Sequence, residues 1–252
     1  MLPFVSLLTP TYNRRLFIPQ LLRNFWSQTY PPERMELVVL DDGDDPVDDL
    51  LQHVPGVCYI RIPEKLELGF KRNLITHYAQ GDVLVHMDDD DFYPPTRVAH
   101  AVKMLTDSDR LLAGSSAMFI YEVQDKIIHR SGPFAPNHGT NGTLAYKRAY
   151  LDHNRFDDTT TLRDEALFTR GFTNPMVQLD PMQTILCISH GRNSWDKSKS
   201  TSKNQTDLKL KHFVKNEESL KFYRYTLPKQ LAAKAKSSEQ TPDDANEGTH
   251  AI

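Results

Sequence analysis

Asp82-Val83-Leu84-Val85-His86-Met87-Asp88-Asp89-Asp90-Asp91-Phe92-Tyr93-Pro94-Pro95 is the stretch that decides how this 252-residue chain folds. Its first half is apolar enough for a strand buried on both faces, and its second half sets four carboxylates in a row. Adjacent like charges repel, so the fold gains by supplying a counter-charge. At the end of a core strand the cluster points above the sheet, where a hard divalent cation with oxygen ligands is a natural partner. A solvated acidic turn, with Pro94-Pro95 opening the next helix, is the competing reading.

Reading outward from this stretch gives regular alternation. Upstream, residues 69–79 predict a short helix that starts at Gly69 and is capped by Gly81; before it, residues 57–62 predict a strand. Another apolar strand over 35–40 ends at Asp41-Asp42-Gly43-Asp44-Asp45. Ile18, Leu21, Leu22, Phe25 and Trp26 recur at helical spacing within 16–28, and Pro31-Pro32 stops that helix. The first strand, 4–9, runs into Pro10-Thr11-Tyr12-Asn13-Arg14. Downstream, Val98, Val102 and Leu105 mark a helix over 96–105. Short, wholly apolar strands alternating with helices predict an α/β fold with a mainly parallel sheet and helices on both faces. Ligands bind such sheets at the carboxyl ends of the strands. The clusters around Thr11, Asp41 and Asp90 all fall there, which favours a site over solvated turns.

The second half changes character. Strands are predicted over 111–123, 126–129, 142–146, 176–179 and 184–189, with brief helices at 148–151 and 164–171. This mixture suits one continuous domain over 1–206, with a ligand-binding half (1–106) and a second half (107–206) that builds the substrate side. Residues 191–204 are rich in Ser, Lys and Asn and read as a mobile loop able to close over a ligand. Leu210, Phe213, Val214, Leu220 and Phe222 give an amphipathic helix over 208–227, inside a C-terminal segment of 207–231. The tail 232–252 lacks apolar periodicity and is expected to be disordered.

Composition narrows the classes. No apolar run is long enough to span a bilayer, and the start of the chain lacks the basic and apolar regions of a signal peptide. Cys58 and Cys187 lie in apolar runs without metal or redox spacing, as reduced core residues of a cytoplasmic protein do. Net charge is −3, yet residues 196–236 hold 11 Lys/Arg against 4 Asp/Glu. An acidic body with one basic segment argues against nucleic acid as partner. That segment can face an anionic ligand, a membrane surface or water.

In order and rough spacing, Thr9-Pro10-Thr11-Tyr12-Asn13-Arg14, Asp41-Asp42-Gly43, Gly69-Phe70-Lys71-Arg72-Asn73, Asp88–Asp91 with Pro95, and Arg163-Asp164-Glu165-Ala166-Leu167-Phe168-Thr169-Arg170 resemble glycosyltransferase family 2, over residues 4 to about 195. The resemblance implies a GT-A fold and an inverting, metal-dependent transfer from a nucleoside-diphosphate sugar, a UDP-sugar favoured, to a hydroxyl of a glycan or other acceptor. It implies that Pro10, Thr11, Tyr12, Arg14, Asp41 and Asp42 hold the nucleoside, with Asp88 and Asp89 on the sugar-nucleotide. Lys71, Arg72 and Asn73 are donor-side candidates, Lys71 being equally readable as a solvated helix start. Mn²⁺ or Mg²⁺ would sit on Asp90 and Asp88, with His190 as a third ligand or a plain structural histidine. Asp91 would support from behind. Asp164 aligns with the general base and Glu165 is the fallback; Arg163 replaces the family's usual acid, and a neighbouring cation lowers a carboxylate's pKa.

On the acceptor side, Phe134, His138, Asn141 and Trp195 fall in loops, where an aromatic can stack on a sugar ring, although Phe134 can equally be core. Two other readings stay open here: a metal-dependent nucleotidyltransferase or phosphohydrolase, and a sugar-nucleotide or glycan-binding module with weak catalysis.

Overall fold

The computed structural model describes residues 1–161, 165–191, 193 and 203–239. Four strands make the parallel part of a seven-stranded sheet: β1 (Val5–Thr11), β2 (Met35–Asp41), β3 (Val57–Arg61) and β4 (Val83–His86). β1 lies between β2 and β4, and β3 is the half-buried edge. Beyond β4 the sheet continues through β8 (Ala145–Lys147), β5 (Leu112–Gly114) and β9 (Met176–Gln178). β8 runs antiparallel to both of its neighbours, so the sheet is mixed but mainly parallel, as the alternation predicts.

Helices cover both faces. Ile18, Leu21 and Phe25 of α1 (Ile18–Trp26) and Val98, Ala101, Val102 and Leu105 of α4 (Arg97–Thr106) bury against one side of the sheet. Ile75 of α3 (Leu68–Tyr78) packs on the other with Tyr146, Phe156 and Phe168. The short α2 (Asp48–Leu51) leaves too few turns for periodicity to reveal. Gly81 is not the cap of α3: a Cβ there would lie 2.4 Å from Ser6 N, so glycine serves close packing against β1. Cys187 is buried, whereas Cys58, on edge strand β3, is only half-buried; both are free thiols.

The predicted strand 111–123 is two strands in different sheets. β5 ends at Gly114, and Ser115 Oγ, 2.6 Å from Ala117 O and 3.1 Å from Leu179 O, holds the break. The chain then enters β6 (Met118–Glu122), which joins β10 (Leu186–Ser189), β7 (Ile127–Ser131) and β11 (Lys203–Gln205) in a four-stranded sheet. β11 therefore occupies the end of the predicted loop 191–204. A reciprocal backbone pair between Phe92 and Leu186, at 3.1 and 2.9 Å, stitches the two sheets immediately after the acidic run.

A single helix over 208–227 does not form. Val214 adopts an extended conformation after α6 (Leu210–Phe213), and the Asn216 side chain caps α7 (Glu217–Lys221). A π-helical turn (Phe222–Thr226) then leads into α8 (Leu227–Glu239), so helix replaces expected disorder at 232–239. Phe213, Val214, Phe222, Tyr223 and Leu227 cover the second sheet. No helix among the described residues is long and apolar enough to cross a membrane.

Candidate active site

The parallel register places Thr11 beside Asp41, and β4 delivers the acidic run to the same rim. Counter-charges come from separate elements. The Arg14 guanidinium, after β1, lies 3.6 Å from the Asp90 carboxylate and 3.9 Å from that of Asp89. Arg72 of α3 lies 3.5 Å from Asp88. Asp89, Asp90 and Asp91 are all buried, which rules out a solvated turn. Burial, reinforced by the Asp90 charge, pushes the Asp89 carboxyl up to about 7, against Arg14 and the Thr11 hydroxyl, which donates to it at 2.6 Å.

Each carboxylate of the run faces a different neighbour. Asp88 faces Arg72, and its Oδ2 would be 2.9 Å from a Cβ on Gly142. Asp90 Oδ2 is 3.1 Å from His190 Nε2 at the end of β10, with Asn193 Nδ2 3.3 Å from the same oxygen. Asp91 turns inward: its Oδ1 accepts from Ile188 N at 2.6 Å, and its carbonyl accepts from Asn24 and Tyr223.

Arg72 is held from behind by His86. Arginine only donates, so His86 Nδ1, 3.3 Å from Arg72 NH1, accepts. The ring proton is then on Nε2, 3.3 Å from the Tyr146 hydroxyl. Complete burial, with Arg72 and Arg97 nearby, drives the His86 pKa well down and keeps the ring neutral. Sequence reading passed over His86; the signal was a lone imidazole inside an otherwise apolar strand.

Other predicted donor residues have internal partners. Asp41 accepts from Gly43 N at 2.9 Å, Val47 N at 3.1 Å and the Tyr59 hydroxyl at 2.8 Å, so it shapes the loop after β2. Asp42 accepts from Leu66 N and pairs with Lys71, which also donates to Thr11 O at 3.1 Å. Lys71 is thus a buried lysine rather than a solvated helix start. Burial pushes its ammonium down against the Asp42 charge, which holds it up. Asn73 clamps the backbone of Phe156 and the Asp158 carboxylate. Tyr12 donates to Asp44 at 3.1 Å, with Lys65 over its ring; Pro10 lies within β1.

The Lys71–Asp42 pair gives a stability prediction. Removing one partner of a buried pair costs about 3–5 kcal/mol, and a protein this size loses about 2–4 °C per kcal/mol. Lys71→Met is therefore expected to lower the melting temperature by ~10 °C in calorimetry. The double change Lys71→Met/Asp42→Asn, which removes the charge and keeps an acceptor for Leu66 N, should recover part of the loss; no recovery would exclude the stranded charge as its cause.

Asp164 and Arg163 lie outside the described residues, as do Trp195, Lys197 and Lys199. Glu165 opens α5 (Glu165–Phe168), and Asn141 Nδ2 donates to its Oε2 at 3.0 Å.

Among the described residues no three His, Cys, Asp or Glu side chains form a ready ligand cluster. The predicted trio is divided: Asp90 meets His190, and Asp88 meets Arg72. The donor set still fits a divalent cation. His190 Nε2 lies 3.1 Å from Asp90 Oδ2, so an imidazole nitrogen and a carboxylate oxygen stand close enough for one divalent cation to take a lone pair from each. Mg²⁺ commonly takes only one or two protein carboxylates, with substrate phosphates completing its shell.

A sequence profile described as glycosyl transferase family 2 matches residues 6–169, well over half of the chain. The chain belongs to glycosyl transferase family 2. It is 33% identical over 116 residues to the undecaprenyl-phosphate 4-deoxy-4-formamido-L-arabinose transferase of Pseudomonas syringae, which is 40% of this chain and 32% of that protein. Five such relatives are covered over about a third to two fifths of their own length. Identity is 23% over 239 residues, 84% of this chain and 91% of the other, with TuaG of Bacillus subtilis, a provisionally assigned teichuronic acid biosynthesis glycosyltransferase. In three dimensions the family member resembles a mannosyltransferase of Pyrobaculum calidifontis, solved in complex with GDP-Man and Mn²⁺. The TM-score is 0.61 at 17% identity, covering 96% of this chain and 77% of that one, and the shared fold is GT-A.

Proposed function

We propose that this family 2 protein transfers a sugar from a nucleoside-diphosphate sugar to an acceptor hydroxyl, with inversion and with Mn²⁺ or Mg²⁺ bound. The observation that carries this reading is Asp90, buried beside Arg14 and paired with His190, on the strand-end rim where such sheets bind ligands. In this reading residues 1–106 bind the donor and residues 107–206 the acceptor. A UDP-sugar is the donor favoured by the family resemblance. GDP-mannose is the second to test, because the archaeal neighbour is in complex with it.

Asp90 and His190 would hold the cation, which when bound neutralises charge on the leaving diphosphate. The chain's own residues do the rest. Arg14 and Arg72 bring positive charge to the donor side, and the neutral His86 fixes the direction of Arg72. Thr11 orients Asp89 toward the donor. Asp164 takes the proton of the acceptor hydroxyl, with Glu165, held by Asn141, as the alternative base.

Slow donor hydrolysis tests the reading. With Mn²⁺ and a panel of UDP-, GDP- and dTDP-sugars, free sugar plus nucleoside diphosphate is expected from one donor and not after chelation. The same nucleotide should raise the melting temperature only when metal is present, since a ligand bound by the native state stabilises it. Release of pyrophosphate or phosphate instead would indicate a nucleotidyltransferase or phosphohydrolase. No turnover with any donor would indicate a binding module.

A further inference from the structure

An aromatic stack stands on the loop that leads to Asn141 and has no role in the donor chemistry. The His138 ring stacks on Phe172 with centroids 4.5 Å apart and planes at 27°. The His138 ring also meets Phe134, with centroids 4.8 Å apart and planes at 50°. Phe134 is 47% exposed, so it is not core. Burial lowers the His138 pKa, which keeps the ring neutral and suited to stacking. Its Nδ1 is buried without a partner among the described residues, an unmet capacity of the kind a ligand hydroxyl or a water resolves.

The stack is held rigidly. Gln178 of β9 donates to Pro136 O at 2.7 Å and to His138 O at 3.1 Å, and Asn137 accepts from Met176 N. On the facing segment Arg170, Gly171 and Phe172 all have positive φ, at 51°, 67° and 61°. That conformation is uncommon for a bulky side chain; retained strain of this kind accompanies functional positions.

The loop that carries the stack leads directly to the chemistry. Three residues after His138, Asn141 donates to Glu165. The next residue, Gly142, lies against the Asp88 carboxylate. Phe172 follows α5, which Glu165 opens. One loop and one short segment therefore join the aromatic rings, the carboxylate beside the predicted base, and the acidic run.

We infer that Phe134, His138 and Phe172 form a platform for a pyranose ring of the acceptor, which makes the acceptor a saccharide. A pyranose carries a face of C–H groups, and the negative face of an aromatic ring attracts their electropositive edge. Rigid rings bind at small entropic cost. This inference rests on the transfer reading for its place in catalysis, but the binding itself is read directly.

The test is saturation-transfer NMR on the full chain with methyl β-glucoside, methyl β-galactoside, methyl α-mannoside and methyl β-N-acetylglucosaminide, in parallel with donor hydrolysis. At least one glycoside is expected to be saturated through the C–H groups of one ring face. Phe134→Ala should weaken that signal by about fivefold or more, the scale of one lost stacking contact. Phe134→Trp should retain it. Phe172→Gly, which suits the local backbone, should weaken it without loss of fold, and donor hydrolysis should be unchanged in all three. A wild-type protein that saturates none of the sugars, or a signal that survives Phe134→Ala, overturns the platform. Sugar binding without any donor hydrolysis would instead refute the transfer reading and leave the platform standing.

Discussion

Asp90→Asn is expected to reduce sugar transfer and donor hydrolysis by roughly 10²-fold or more, since metal stabilisation of a leaving group supplies several kcal/mol and each 1.4 kcal/mol is tenfold. The buried carboxylate is paired with His190 and lies 3.6 Å from Arg14. The amide keeps the shape and removes the charge. Nucleoside diphosphate release, measured across a Mn²⁺ titration, is the readout. Asp88→Asn should cost less, because its carboxylate faces Arg72. Asp91→Asn should show mainly as lost stability, because its Oδ1 anchors Ile188 N. If Asp90→Asn keeps its metal dependence and Asp88→Asn loses it, the cation belongs to Asp88.

The second large effect separates the two candidate bases. A positioned general base contributes about 10²–10⁴-fold. Asp164→Asn is expected to lose that much transfer while donor affinity, followed by metal-dependent thermal shift, stays near wild type. Glu165→Gln should lose about tenfold or less, as its carboxylate is occupied by Asn141. The reverse order would move the base to Glu165 and give Asn141 the task of orienting it.

Much of the fold was legible because its signals are local. Runs such as Leu37–Leu40 and Val83–Val85 are apolar at every position, as strands buried on both faces must be. The break at Ser115 was not legible, because it exists only where two sheets diverge and Leu179 O comes within reach. The broken C-terminal helix has the same origin: Phe213 and Val214 are periodic enough for one helix, but burying both against the second sheet leaves Val214 extended. In the site, residue types were informative and roles less so. Asp41 and Lys71 have the chemistry of ligand contacts, yet backbone N–H groups, Tyr59 and Asp42 occupy them. Partners contributed from distant parts of the chain, such as Thr11 for Asp89 and Ile188 for Asp91, emerge only once the elements are assembled.

The contacts of Asp91 bear on how the protein is made. Its side chain is fixed by Ile188, 97 residues later, and its carbonyl by Tyr223, 132 residues later. During synthesis, which delivers the N-terminal parts first, the four carboxylates leave the ribosome long before either partner exists. Their final arrangement awaits almost the last part of the described chain, and such long-range closure is slow to form. A nascent chain paused before residue 188 would carry β1–β4 with Asp88, Asp89 and Asp90 already beside Arg72, Thr11 and Arg14, but with the Asp91 side chain lacking its Ile188 donor. If this rim binds the proposed nucleotide donor, fragments ending short of Tyr223 are expected to bind nucleotide more weakly than the full chain, because Asp91 lacks its carbonyl partner there.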